Sequence, residues 1–158
     1  MLETLGSSQI SALIRSELWG WPLALTLHAI GAALVLGFIF IISLRLLGLF
    51  ELIPYRSLGK LFPFVWAALA LQLITGLVLW VAKPVQYVAD GAFLLKIFLI
   101  VAGVVMMTQL SKMVAREAPS WDTNGGVPAS GLRFVATTLV IWCVVLVAGR
   151  LTGYLGSI

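Results

Sequence analysis

The sequence predicts an all-α integral membrane fold, an up-down bundle of four transmembrane helices preceded by a short N-terminal interfacial helix. Three observations carry that expectation. Of its 158 residues, 61% are hydrophobic and only 10% are charged, whereas soluble domains carry roughly 25% charged residues. The apolar residues gather into four long blocks, and a bilayer core is crossed by about 20 helical residues at about 1.5 Å rise each. Basic and aromatic residues collect at the block edges rather than in a solvated stripe. A single transmembrane domain over 1–158 follows.

The interfacial helix is expected over about 8–19, where Ile10, Leu13, Ile14 and Leu18 recur at helical spacing beside Ser11, Arg15 and Glu17. The first span is placed at 22–47, on an apolar block from Leu23 to Ser43 interrupted by one ionisable residue, His28. That block is too long for the apolar part of a cleavable signal, so it is expected to be retained. The second span is placed at 60–82, the third at 92–114 and the fourth at 133–155. Backbone groups in hydrocarbon must be paired within their own segment, which makes isolated apolar runs of this length helices.

Turn and interface residues separate the spans: Pro54 in the first connection, Lys83 and Pro84 in the second, and Pro119, Asn124, Gly125, Gly126 and Pro128 in the third. The third is expected to be the longest and most polar. Arg45, Arg56, Lys60, Lys112, Arg116 and Arg133 flank the first and third connections, while Arg15, Lys83, Lys96 and Arg150 lie on the opposite side. The positive-inside tendency then puts both termini on the periplasmic side of a bacterial inner membrane. Trp19, Trp21, Trp80, Tyr87 and Tyr154 fall on that same outer side, where amphipathic rings suit the headgroup boundary. The net charge of +4 therefore reads as topology, and nucleic acid is not an expected partner.

Within the spans, polar residues are few. His28 is the most informative, because an intramembrane imidazole faces the bundle interior or a cavity and suits either an interhelical hydrogen bond or a haem or metal. A b-type haem is the possible cofactor, with His28 as its axial ligand. A second ligand within the chain would have to be Met106, Met107 or Met113, residues that otherwise fill gaps. Gln72 lies between Ala68 and Gly76 at four-residue intervals, so one polar and two small side chains share a helix face. Gln109, Thr75, Thr137 and Thr138 add hydrogen-bonding groups that could meet across the bundle. Ala29, Ala33 and Gly37 form a ridge of small residues on the first span, and Gly149 and Gly153 a similar pair on the last, both suited to close helix approach. Lys96 and Arg150 are near enough to helix ends to extend their charges to the interface. Cys143, the one cysteine, is placed as a small packed side chain. No nucleotide cradle, no Ser/His/Asp set, no protein metal site and no intramembrane carboxylate cluster is present. A catalytic role for the isolated chain is thereby disfavoured, and so is an autonomous proton pump.

The run Ile14, Arg15, Ser16, Trp19, Trp21, Pro22, His28, Gly31, Gly37, then Leu44-Arg45-Leu46-Leu47-Gly48-Leu49, resembles a poorly characterised family of small four-helix bacterial membrane proteins. Leu61, Pro63, Trp66, Ala67, Thr75-Gly76-Leu77 and Phe93-Leu94-Leu95-Lys96 continue the likeness, which covers roughly Ile10 to Met113. More distantly the layout is similar to copper-resistance D-type membrane proteins and b-type cytochromes. Members of the nearer family carry an acid three positions before the histidine, another before the Leu-Arg-Leu-Leu-Gly run, and a second histidine late in the third span. This chain has Leu25, Ser43 and Thr108-Gln109 there, a pattern that suits a member retained as a structural subunit.

The leading expectation is a noncatalytic membrane subunit of a larger respiratory or electron-transfer assembly, held by lipid and by other membrane subunits or further copies of itself. The alternatives are a haem-binding electron carrier using His28 and a small-solute or copper transporter.

Overall fold

The computed structural model describes residues 7–8, 12, 19–82, 84–85 and 91–155. Among them the protein is entirely helical: α1 (Gly20–Leu46), a 3₁₀ helix (Tyr55–Leu61) leading directly into α2 (Phe62–Ala82), α3 (Gly91–Asn124) and α4 (Ala129–Leu155). The interfacial helix expected over about 8–19 lies outside the described residues apart from Ser8, Ala12 and Trp19. Four helical segments, Gly20–Leu46, Tyr55–Ala82, Phe93–Thr123 and Ala129–Gly149, are long and apolar enough to cross a membrane. This is the architecture of a multi-pass membrane protein.

α1 packs on α2 and on α4, and α3 packs on α4 and on the 3₁₀ helix, which also touches α1 and α2. Each helix turns one narrow stripe inward. On α1 it runs Gly31, Val35, Ile39, Ile42 and Leu46; on α3 it runs Gly103, Met107, Leu110, Val114, Ala118 and Trp121. These three- and four-residue steps keep one helix face on its neighbours. Val65 and Ala68 of α2 and Val135 and Trp142 of α4 complete the same core. The outer faces carry large apolar residues, with Leu73 65%, Phe98 69% and Val140 59% exposed. Water would penalise such a surface, and hydrocarbon does not.

α3 extends ten residues past the expected limit at 114, and Pro119 lies inside it rather than in a connection. The extension exists because it is amphipathic. Val114, Ala118 and Trp121 stay on the buried stripe while Arg116 and Asp122 remain exposed, and the 3₁₀ helix supplies the surface they pack on. The proline removes one backbone donor, a loss of roughly 3 kcal/mol in a bare helix, which the burial of Trp121 helps to offset. The third connection therefore shrinks to residues 125–128. Gly125 and Gly126 have φ of 84° and 129°, and the Gly126 amide donates to the Trp121 carbonyl at 3.1 Å, closing the helix in a Schellman-type turn.

The first connection is equally defined. Gly48 has φ of 102°, Leu49 donates to the Leu44 carbonyl, and Phe50 sits at φ 55°, a left-handed conformation that costs a bulky residue energy. The buried Arg45 holds this loop from beneath: its Nε donates to the Ile53 carbonyl and its Nη2 to the Glu51 carbonyl.

Candidate functional site

The polar side chains of α1 and α2 meet at one place. His28 Nδ1 lies 2.9 Å from Thr75 Oγ1, and His28 Nε2 lies 3.0 Å from Gln72 Nε2. Thr75 has a single hydroxyl proton, which it gives to the Leu71 carbonyl at 2.7 Å, so it accepts from His28. The network therefore assigns a neutral imidazole protonated on Nδ1, with Gln72 Nε2 donating to its other nitrogen. Every ring nitrogen is engaged within the chain.

Two glycines make the approach possible. A Cβ at Gly76 of α2 would lie 3.2 Å from His28 Cε1, and a Cβ at Gly31 of α1 would lie 2.7 Å from Gln72 Oε1 and 3.3 Å from the Gln72 backbone nitrogen. Each helix thus offers a notch to the other's polar side chain, an arrangement that lets backbones come close in lipid. Gln72 Oε1 is left buried with no hydrogen-bond partner among the described residues.

Ala68 is buried on the same face of α2 as Gln72. Ala29, Ala33 and Gly37 face outward from α1, and nothing lies within 4 Å of a Cβ at Gly37. Gln109 is exposed on α3. Thr137 and Thr138 do not bridge helices; they donate to carbonyls of their own helix, those of Arg133 and Phe134. Gly149 receives the stem of Lys96 from α3, with Lys96 Cε 3.5 Å from where its Cβ would be. Gly153 lies in α4. Met107 is fully buried in the apolar core with Leu110 and Val114, while Met106 and Met113 are half-buried. Cys143 is half-buried and free.

This geometry does not favour the possible b-type haem. Axial ligation would require His28 to give up Gln72 or Thr75, and Gly76 closes on the ring edge. Among the described residues no three His, Cys, Asp or Glu side chains gather as a protein-bound metal would require.

A second cluster stands where α1 ends and α3 extends, and little in the residue pattern announces it. The Arg45 guanidinium carbon sits 3.8 Å from the Tyr55 ring centroid. Tyr55 meets Trp121 edge to face at 6.0 Å. Asp122 accepts the backbone amides of Tyr55 at 2.7 Å and Arg56 at 3.2 Å. Pro54, the cap residue of the 3₁₀ helix, forms no side-chain cap, so a carboxylate from the far end of α3 does that work across the chain. From the sequence Arg45 reads as a topology signal, one of the basic residues flanking the first connection. The only available signal was Arg45's place two residues past an apolar block.

Comparison with protein-family models, curated proteins and solved structures finds no match to this chain.

Proposed function

We propose that the chain is a noncatalytic integral membrane subunit, an up-down four-helix bundle that anchors or completes a larger bacterial inner-membrane respiratory or electron-transfer assembly. One observation carries the reading: His28 of α1 and Gln72 and Thr75 of α2 turn toward each other, whereas the small-residue ridge of α1 turns outward. His28, Gln72 and Thr75 use their hydrogen bonds to join α1 to α2, which is helix glue rather than chemistry. Ala29, Ala33 and Gly37 leave a shallow, open strip on the other side of α1, into which a partner helix fits.

The up-down order is supported by pairings between opposite helix ends. His28, early in α1, meets Thr75, late in α2; Asp122, at the end of α3, meets Tyr55, just ahead of α2. Basic residues at the Arg45 end support a cytoplasmic placement there, with both termini periplasmic.

Purification from native membranes in gentle detergent, followed by subunit identification and a visible spectrum, tests the reading. Stoichiometric co-purifying membrane subunits, or a homo-oligomer, are the expected result. A monodisperse monomer with no companion would refute it. Haem bands lost in His28→Ala would replace it with the electron-carrier reading, and substrate uptake into liposomes that depends on His28 or Gln72 would replace it with the transporter.

A further inference from the structure

Arg45, Glu51, Tyr55, Arg56, Trp121 and Asp122 line an open cleft of about 930 Å³ between the first connection and the end of α3. Its floor is a buried guanidinium. Arg45 has five N–H donors, of which the carbonyls of Ile53 and Glu51 engage two N–H groups. Its central carbon lies 3.8 Å from the Tyr55 ring centroid, so the ring and the two carbonyls together hold the group in place. Arg56 adds a second, exposed guanidinium at the rim.

Two carboxylates line the same cleft. Each Asp122 oxygen accepts one backbone amide and keeps lone-pair capacity for another donor. Glu51 is exposed, and only its backbone carbonyl is used by Arg45. A purely anionic ligand would meet repulsion from these acids, and a purely cationic one repulsion from the arginines. The complementary ligand carries both signs a few ångströms apart.

The depth narrows the source. Arg45 lies two residues beyond Ser43, where the apolar block of α1 ends, about 3 Å along the axis. The headgroup layer on each side of a bilayer is roughly 5–7 Å thick, which puts Arg45, at the floor of the cleft, within that layer.

We infer that this cleft binds the headgroup of an ethanolamine-type phospholipid, its phosphate on Arg45 and Arg56 and its primary ammonium on Glu51 and Asp122. Arginine matches phosphate through paired N–H donors, and the three N–H bonds of a primary ammonium match carboxylate acceptors. A choline headgroup has the same charges but no N–H to donate, and a glycerol headgroup has no cation. The site requires only the membrane placement of the helices, and it stands whether or not a partner subunit exists.

The test uses the full chain in detergent micelles doped with ethanolamine, choline or glycerol phospholipids of identical acyl chains, with retained lipid read by native mass spectrometry. The ethanolamine lipid is expected to be enriched about tenfold over both others. The Glu51→Gln/Arg56→Gln double variant, altered only at exposed side chains, should lose that enrichment without a change in melting temperature. Equal retention of the three lipids, preference for the glycerol lipid, or undiminished enrichment in the double variant would overturn the assignment. Soluble phosphoethanolamine, with the same two charges and no acyl chains, should bind at least about tenfold more weakly. Binding as tight as the lipid's would move the source from bilayer to solution and overturn the lipid assignment.

Discussion

The imidazole of His28 rests on Gly76 across the α1–α2 seam, its Cε1 3.2 Å from where a Cβ on that glycine would lie. The reciprocal notch, Gly31 beneath Gln72, is tighter and is closed partly by backbone. Alanine at the two positions should therefore behave differently. Gly31→Ala places its methyl against the Gln72 backbone, and overpacking of this kind costs about 1–3 kcal/mol, more than the ~1 kcal/mol of helix propensity it gains. Gly76→Ala meets only a side-chain ring edge that can shift by a few tenths of an ångström. Melting in detergent should show a clear loss for Gly31→Ala and a near-neutral effect for Gly76→Ala; equal effects would contradict the asymmetry.

Removing the imidazole tests the hydrogen-bonded seam. Interhelical hydrogen bonds in membranes average about 0.6 kcal/mol, and at most about 1.7, so His28→Ala should lose roughly 1–3 kcal/mol from two such bonds and the vacated volume. Thr75 keeps the Leu71 carbonyl as its partner. Gln72→Leu should cost less, because it also removes an amide oxygen that is buried and has no hydrogen-bond partner among the described residues. A larger loss for Gln72→Leu than for His28→Ala in the same denaturation series would reverse this ranking.

Asp122 acts on a helix that begins 67 residues earlier in the chain. Replacing it with alanine frees the amides of Tyr55 and Arg56 and should cost about 1–2 kcal/mol, the usual scale for a lost cap. Amide hydrogen exchange is the direct readout: Tyr55 and Arg56 should exchange faster, with α1 and α2 unaffected. Unchanged exchange at both amides would show that the carboxylate does not cap this helix.

Arg45→Lys keeps the positive charge and discards the geometry. A single lysine ammonium cannot sit over the Tyr55 ring and also reproduce the spaced donors that reach two carbonyls. Limited proteolysis between Leu49 and Pro54 should accelerate several-fold in Arg45→Lys. An unchanged cleavage rate would mean that charge alone orders the loop.

Gly37→Leu separates folding from assembly. Nothing lies within 4 Å of a Cβ there, so the melting temperature of the isolated chain should change little, while co-purification of a partner helix should fall sharply. Retention of the full assembly by Gly37→Leu would remove this ridge from the interface.

Much of the framework was legible in the residues. The four apolar blocks correspond to four helices long and apolar enough to cross a membrane, and α3 runs on past the end of its block. There the expected break at Pro119 did not occur, because Trp121 and Ala118 found a packing surface on the 3₁₀ helix. The polar face holding Gln72 and the small Ala68 and Gly76 was also legible. Its partner was not, since the residue opposite Gln72 proved to be Gly31 rather than a member of the Ala29, Ala33 and Gly37 ridge on the same helix.

By itself the sequence determined the solvent and the rods: hydrocarbon around helices whose backbone polar groups must be satisfied internally. Only the tertiary structure decided which stripe of each rod faces inward, that Asp122 caps a helix far from it in the chain, and that Arg45 is buried under a loop. In water, an apolar stripe on a polar helix announces the inner face. In lipid, apolar residues cover all sides and drive no choice between them, so orientation falls to close packing and a few hydrogen bonds that appear only when two helices are brought together.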